Sequence, residues 1–165
     1  DMSTAMYSNS KYVESTLVTG TQWDMAMKFI SKKEDYSDIK STPWGNYANG
    51  QVTYVQGQGK YIEVDGSTGI EKGEFTTSDN KYYLGIRTTA SSEDVKKNNL
   101  YDIAGNLWEW TAERTQVDGQ SGTLNVLRGG SFNNSYASSS ACYRNYGYVS
   151  ATATSFGFRP VLYVK

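Results

Sequence analysis

Only one stretch of the 165-residue chain carries the apolar period of an amphipathic helix, and this scarcity of helix constrains the fold most strongly. The apolar positions recur at i, i+4 and i+7, and they are Trp23, Met27 and Ile30. Thr21 is the predicted N-cap, and Asp24 stands three residues on, in the position of a capping-box acid. The chain becomes charged after residue 30, so the helix is predicted to end between residues 31 and 35.

The rest of the chain is predicted to form short strands joined by long loops. Its β-branched and aromatic runs are separated by Gly, Asn, Ser and Asp, a spacing typical of strands and turns. The predicted strands are Gln51–Val55, Tyr61–Val64, Tyr82–Ile86, Leu107–Thr111, Asn125–Arg128 and Phe158–Val164. Gln56–Gly59 is expected to be a hairpin loop and Pro43–Asn46 a turn. Because no repeat or linker is visible, the sequence predicts one α+β domain over residues 1–165.

Scarce residue types and low net charge exclude several functions. The chain has no histidine, which excludes imidazole metal ligands and every catalytic mechanism that needs a histidine base. Its single cysteine, Cys142, cannot form an intrachain disulfide and is predicted to be a small buried thiol. The formal net charge is −1, and no apolar run approaches the roughly 20 residues that span a bilayer. We therefore expect neither a nucleic-acid partner nor membrane insertion.

Two segments resemble a known family. Residues 99–110 read Asn-Leu-Tyr-Asp-Ile-Ala-Gly-Asn-Leu-Trp-Glu-Trp, and a second segment begins Leu-Arg-Gly-Gly-Ser-Phe at residue 127 and ends Gly-Phe-Arg-Pro-Val-Leu at residues 157–162. The pattern is similar to the formylglycine-generating enzyme (sulfatase-modifying factor) family, a variant of the C-type lectin-like fold. The resemblance implies an α+β, C-type lectin-like fold with short antiparallel strands, one clear helix and much irregular loop. We expect the domain to be the C-terminal part of a longer protein.

The residues that carry this resemblance are predicted to be framework. In a strand, Trp108 and Trp110 share one face, and both are expected to be substantially buried. Arg128 and Arg159 each stand beside Gly and aromatic or apolar residues, which favours buried and paired guanidinium groups.

The resemblance also bears on catalysis. Enzymatic members hold copper and oxidise a substrate cysteine with a cysteine pair that follows the Arg-Gly-Gly-Ser stretch. The matching positions here are Asn134 and Ser139, neither of which is a thiol. A related iron-dependent branch needs histidine ligands, which the chain lacks. The sequence therefore predicts no catalytic residue and no enzyme activity.

A calcium site is the remaining cofactor that the resemblance implies. Asp102, Gly105, Leu107 and Glu109 match the family's calcium-binding pattern around a Gly-Asn turn, and oxygen ligands suit a hard cation. The favoured alternative is that Asp102 caps the turn and Glu109 pairs with a buried arginine. We accordingly expect no metal or other cofactor, with calcium left open.

Residues 131–155 have an unusual composition, with seven Ser, four Tyr and three Asn. Arg144 is their one charged residue and is expected to be paired. No steady apolar period runs through them, so the segment is predicted to be largely loop. Tyr, Ser and Asn dominate antibody paratopes, where Tyr gives rigid contact and Ser and Asn give adaptable hydrogen bonds. The predicted ligand-binding residues are Asn133, Asn134, Tyr136, Ser138, Tyr143, Asn145, Tyr146, Tyr148, Ser150, Thr152 and Thr154.

The position of this segment resembles the variable proteins of diversity-generating retroelements, which phages and bacteria build on the same lectin-like fold. In those systems adenine-directed mutagenesis of a C-terminal repeat yields chiefly Asn, Tyr, Ser, Thr, Asp, Gly and Ala. The resemblance implies a non-enzymatic ligand-binding domain whose residues 133–155 form a variable binding surface. Its expected partner is an unknown protein or carbohydrate ligand, and its expected location a phage virion or bacterial cell surface. Two alternatives stay open: an atypical or degenerate oxidoreductase of the family, and a structural module of a surface or virion protein.

Overall fold

One twelve-residue helix and short strands make up the regular secondary structure. The computed structural model describes residues 2–37, 39–50, 52, 60–65, 69–74, 85–135 and 138–165. The helices are α1 (Met2–Ala5) and α2 (Gly20–Ser31), and 3-10 turns lie at Thr42–Trp44 and Glu93–Val95. The strands are β1 (Val13–Leu17), β2 (Lys60–Asp65), β3 (Gly69–Glu74), β4 (Ile86–Arg87), β5 (Lys96–Lys97), β6 (Leu100–Tyr101), β7 (Trp108–Thr115), β8 (Leu124–Arg128), β9 (Arg144–Gly147), β10 (Phe156–Phe158) and β11 (Pro160–Val164).

Helix α2 begins two residues earlier than the sequence predicts. Its N-cap is Thr19, whose hydroxyl accepts a hydrogen bond from the Gln22 backbone N–H at 3.2 Å. The Gln22 side chain in turn accepts from the Thr19 backbone N–H at 2.9 Å, which completes a capping box. The predicted cap at Thr21 is wrong because Gln22, and not Asp24, makes the reciprocal bond of the capping box, to the Thr19 backbone. The Asp24 side chain has a different partner, described below. The helix ends before Lys32, within the predicted range, in a left-handed residue.

The apolar stripe of α2 is confirmed as the centre of the core. Its members Trp23, Met27 and Ile30 are all buried. They pack in one cluster with buried residues from before and after the helix: Val18, Trp44, Tyr47, Ile103, Ala104 and Ala141. The helix therefore ties the predicted framework to the start of the Tyr-rich region. None of the helices described is long and apolar enough to cross a membrane.

A four-stranded sheet in the order β10-β7-β8-β9 positions the C-terminal third. Strands β7 and β8 are antiparallel, as are β8 and β9, whereas β10 runs parallel to β7. Strand β11 follows β10 in the chain but lies outside this sheet, where it pairs antiparallel with β1. Smaller sheets are formed by β3-β2-β4 and by β5-β6.

Three predicted strands are confirmed and a fourth is divided in two. Tyr61–Val64, Leu107–Thr111 and Asn125–Arg128 correspond to β2, β7 and β8. The predicted strand Phe158–Val164 divides at Arg159 into the end of β10 and β11, because the two parts pair with different sheets. The predicted turn at Pro43–Asn46 begins inside the first 3-10 turn.

Three further predictions fall mainly on residues that the structure does not describe. Gln51–Val55 lies outside the described residues apart from Val52, and the hairpin loop Gln56–Gly59 lies outside them entirely. Tyr82–Ile86 is described only from Gly85 onward, and its last residue opens β4.

The two tryptophans of β7 differ in burial. Trp108 is buried, as predicted, whereas Trp110 is half-buried and less completely covered than Trp108. The Trp110 ring packs edge-on against Phe156 of β10, with 5.4 Å between ring centroids. No layer covers the outer side of Trp110 completely, and the groove beside it is described below.

Candidate binding surface

Three exposed tyrosines mark the candidate surface. Tyr143, Tyr146 and Tyr148 are 47%, 45% and 42% exposed, and they lie before, within and after the edge strand β9. The Tyr143 ring packs against Trp108 with 6.1 Å between centroids, and the Tyr148 hydroxyl donates to Gln120 at 2.9 Å. Each tyrosine therefore offers a large apolar area to solvent and a polar tip for hydrogen bonding.

The sequence did not predict β9, although residues 131–155 are otherwise largely loop, as expected. The strand reads Arg-Asn-Tyr-Gly, a run without apolar alternation. It forms because its backbone pairs with β8, where Tyr146 lies opposite Val126 and Asn145 opposite Leu127. Arg144 forms the expected ion pair, with Glu113 of β7. Backbone pairing with a buried neighbour, and not a side-chain pattern, creates this strand.

The other candidate residues divide by exposure. The exposed ones are Asn133, Ser138, Ser150, Thr152 and Thr154. Asn134 and Asn145 are half-buried, so these two predicted binding residues are less accessible to a ligand than the exposed ones. Tyr136 lies outside the described residues.

Asn134 is held by the turn that contains it. Its amide oxygen lies 2.6 Å from the Ser131 hydroxyl, and its backbone carbonyl accepts from the Ala48 N–H at 3.0 Å. Asn145 lies opposite buried Leu127, and its amide oxygen accepts from the Tyr146 backbone N–H at 2.9 Å. Both asparagines therefore use part of their hydrogen-bonding capacity within the protein.

The backbone that precedes the tyrosines is fixed from below by three side chains. The Trp23 indole N–H donates to the Ala141 carbonyl at 2.9 Å, and the Ala141 N–H donates to the Ser41 hydroxyl at 3.2 Å. The Arg128 guanidinium donates to the Cys142 carbonyl. These anchors satisfy buried backbone groups, as a buried chain requires, and none of the three anchoring side chains belongs to residues 133–155.

Arg128 also forms an ion pair across the core. Its side chain is 1% exposed, and its guanidinium pairs with Asp24 of α2. The prediction of a buried, paired arginine is confirmed, and Asp24 serves this contact in place of a capping box. The pair joins α2 to β8 directly beneath residues 141–142. Removing one partner of such a pair leaves a buried charge uncompensated, which is costly.

Gly130 allows the closest approach in this region. Its φ is +76°, and a Cβ there would lie 2.2 Å from the Ser139 carbonyl oxygen. The Tyr47 hydroxyl donates to the neighbouring Gly129 carbonyl at 3.1 Å and lies 3.0 Å from the Ser41 hydroxyl. Burial raises the pKa of Tyr47 well above its ordinary value, so its hydroxyl keeps its proton. The Gly-Gly turn is thus tightly fixed beside Ser139 and Tyr47.

A family comparison decides the identity of this framework. The sulfatase-modifying factor enzyme 1-like domain matches residues 6–164. The chain belongs to this family. Its curated relatives include "Inactive C-alpha-formylglycine-generating enzyme 2" of Mus musculus, 31% identical over 116 residues that cover 70% of this chain and 31% of the relative. The protein of the same name from Bos taurus is 30% identical, over 70% of this chain and 32% of the relative. The chain thus spans about a third of the length of these relatives.

Solved structures share the fold. "Crystal Structure of CarF" matches with a TM-score of 0.55 and 17% identity, over 92% of this chain and 48% of that one. Treponema denticola variable protein 1 matches with a TM-score of 0.52 and 22% identity, over 89% of this chain and 47% of that one. At these identities the likeness concerns the fold, which is the C-type lectin-like fold of the formylglycine-generating enzyme type that the sequence predicts.

The positions that match the family's copper-binding cysteines have structural contacts of their own. Asn134 is bonded within its turn, and Ser139 is buried, with its carbonyl oxygen against Gly130. Cys142 is half-buried, so the prediction of a buried thiol is wrong, and its Sγ lies 3.1 Å from the Ser140 hydroxyl. It is half-buried because its backbone carbonyl, and not its thiol, faces the buried Arg128.

The residues that match the family's calcium pattern meet beside a cavity of about 190 Å³, which Asp102, Leu107, Glu109 and Arg159 line. The Arg159 guanidinium donates to both oxygens of Glu109, at 2.7 and 2.9 Å. It also donates to the Tyr101 and Asp102 carbonyls at 3.1 and 3.2 Å. The guanidinium therefore takes both carboxylate oxygens of Glu109, as the alternative of an arginine-paired Glu109 predicts.

Asp102 leaves one oxygen unused in this cluster. Its Oδ2 accepts from the Ala90 N–H at 2.9 Å, whereas its buried Oδ1 has no hydrogen-bond partner among the described residues. Burial raises the pKa of this carboxyl above its ordinary value. Glu109, held by Arg159, is thus not free to bind a cation, whereas Asp102 keeps one oxygen unpaired among the described residues.

Proposed function

We propose that this domain is a non-enzymatic ligand-binding domain whose residues 133–155 form a binding surface diversified by a retroelement of a phage or bacterium. The observation that carries the proposal is the set of three exposed tyrosines on and beside the edge strand β9, which directly follows a backbone segment, residues 141–142, that is anchored from below. Exposed Tyr is the residue type that most often supplies the energetic centre of an interface.

The separation of anchors from surface supports diversification. Trp23, Ser41 and Arg128 hold the backbone at residues 141–142 and lie outside the proposed variable segment. Side chains at the exposed positions are therefore free to change without loss of these bonds. A scaffold with this property can present many surfaces on one backbone, as antibody loops do.

The partner is proposed to be a protein or carbohydrate on a cell or phage surface, and the domain's location a phage virion or a bacterial cell surface. The likeness of fold to Treponema denticola variable protein 1 supports this assignment. So does the Tyr, Ser, Asn and Thr composition, which matches the outcomes of adenine-directed mutagenesis. Sequencing the encoding locus tests it: a reverse transcriptase and a near-identical template repeat that differs only at adenines are expected.

The absence of formylglycine-generating activity is part of the proposal. The matched cysteine positions hold Asn134 and Ser139, and curated relatives of the chain are named inactive. Incubation with copper, oxygen and a sulfatase-type peptide should leave the peptide mass unchanged. Loss of the peptide thiol with formation of an aldehyde would instead establish the oxidoreductase alternative.

A display library tests the surface directly. The exposed positions to be randomised are Asn133, Ser138, Tyr143, Tyr146, Tyr148, Ser150, Thr152 and Thr154. Selection against an arbitrary purified protein, such as ovalbumin, should yield folded binders. A matched library at exposed positions elsewhere, including Tyr12, Met25 and Phe29, should yield far fewer. Equal yields, or a mostly unfolded first library, would contradict the proposal and favour a structural module.

A further inference from the structure

A groove of about 400 Å³ lies next to the candidate surface, on the face of the central sheet that carries Trp110. This volume falls within the roughly 300–1,000 Å³ range of small-molecule sites. Trp110 and Phe158 contribute aromatic rings from neighbouring strands β7 and β10, and Leu17 contributes from β1. Val149, which is 76% exposed, lines it from the loop after β9. The groove is therefore largely apolar and open to solvent.

One positive charge borders this apolar groove. Arg114 shares a sheet face with Trp110, because their partners on β8, Asn125 and Leu127, are two residues apart. Its neighbour Glu113 pairs with Arg144 and so does not neutralise it. Arg114 is exposed, and no ion pair or hydrogen bond joins its side chain to any residue in the described parts of the chain. No carboxylate lines the groove among these residues.

We propose that this groove binds a small carboxylate with an aromatic body. The ring of the ligand lies against Trp110 and Phe158, and its carboxylate accepts hydrogen bonds from the Arg114 guanidinium. A guanidinium matches a carboxylate with two parallel bonds. Asn125, the other polar side chain that the sheet contributes, donates one hydrogen bond to the Thr111 carbonyl at 3.2 Å, so Arg114 is the one charged donor among the described residues that line the groove.

This site is distinct from the proposed variable surface. Only Val149 among its eight lining residues belongs to residues 133–155. Binding here therefore does not rest on the proposed function, and either proposal can fail without the other.

Phenylacetate and its neutral analogue phenylacetamide are the probes of this site, and the indole N–H resonance of Trp110 is the readout. The other three tryptophans are buried, so Trp110 is the one expected to respond. Phenylacetate should shift this resonance with concentration, and phenylacetamide should bind about tenfold more weakly because it lacks the charge-assisted bonds. Arg114→Gln should weaken phenylacetate binding by the same factor and abolish the difference between the two probes.

Lys97→Gln is the matched control, since it removes an exposed positive charge that does not line the groove. It should leave both affinities unchanged. Equal binding of acid and amide to the unmodified domain would overturn the proposal, as would an Arg114→Gln variant that binds phenylacetate normally or a Trp110 resonance that never moves. Binding of a peptide with a C-terminal Phe but not of phenylacetate would also overturn it. The comparison of acid and amide remains decisive even where the Arg114 variant does not fold.

Discussion

Residues 131–142 and 143–155 are both rich in Ser, Asn and Tyr, but in different proportions and with different structural roles. In the first half, Ser131, Ser139 and Ala141 are buried, and the backbone is bonded to side chains of the core. In the second half, most side chains are exposed, and the only strand pairs by its backbone at the edge of a sheet. The same residue types thus serve as framework in one half and as surface in the other. Whether the backbone is anchored to the core decides which role they have.

The largest loss of stability should follow from cutting the anchor of the first half. Trp23→Ala removes a fully buried indole and the hydrogen bond to the Ala141 carbonyl. We expect a cost of about 3–5 kcal/mol in the free energy of unfolding, measured by urea denaturation. Trp110→Ala, at a half-buried position, should lower the free energy of unfolding distinctly less. Equal losses would contradict the assignment of the anchor to Trp23.

The second largest effect is expected at the ion pair beneath residues 141–142. Asp24→Asn leaves Arg128, at 1% exposure, without its charged partner; since the Asp24 side chain is 39% exposed, the cost should be about 1–2 kcal/mol, below that of a fully buried pair. Glu34 lies just beyond the end of α2 and forms an exposed ion pair with Lys28 of that helix. Glu34→Gln breaks this pair and serves as the matched control. It should leave the unfolding midpoint unchanged. A midpoint for Asp24→Asn equal to that of the control would show that the buried pair is not structural.

A smaller effect separates positions within the predicted site. Asn134→Ala removes an amide bonded to Ser131 and should cost about 1 kcal/mol. Thr154→Ala changes an exposed side chain and should alter stability by no more than about 0.5 kcal/mol. Thermal unfolding of the two variants side by side measures the difference, and the reverse order would place Asn134 on the free surface after all.

The smallest expected effect is that of calcium. Since the Arg159 guanidinium occupies both oxygens of Glu109, neither added calcium nor a chelator should change the melting temperature. Calorimetric titration should give no saturable heat. A calcium-dependent rise in the melting temperature would show that the ion can displace Arg159 from this cluster.

The framework was the most predictable part of the fold. The stripe of Trp23, Met27 and Ile30 follows from apolar periodicity. The two paired arginines follow from the Gly-rich segments around them, although only Arg128 is buried as predicted and Arg159 is half-buried. These features are local in sequence, or carried by the family resemblance, so one chain is enough to find them.

What the sequence missed depends on long-range pairing. The Asp24–Arg128 contact joins residues about a hundred positions apart, and no local pattern marks it. Strand β9 exists because β8 lies beside it, and the break at Arg159 reflects pairing to two different sheets. The groove at Arg114 was likewise not predicted, since its walls come from six separate parts of the chain.

The order of strands in the central sheet limits how short the loop at residues 148–155 can be. Strands β9 and β10 lie at opposite edges and run in the same direction, so the connection must cross three strand spacings and return to the starting end. Three strand spacings amount to about 14 Å, and the return along the strand direction to about 13 Å. The end of β9 and the start of β10 are therefore separated by roughly 19 Å in a straight line.

Nine peptide steps join Gly147 to Phe156 and reach at most about 30 Å. Two turns, closed by bonds from Ala151 to Tyr148 and from Phe156 to Ala153, use the remaining length. Removing three residues would leave a reach of roughly 20 Å, with none to spare for those turns. The loop can therefore accept substitutions but not deletions. If this segment varies, its length should stay constant and only its side chains should change.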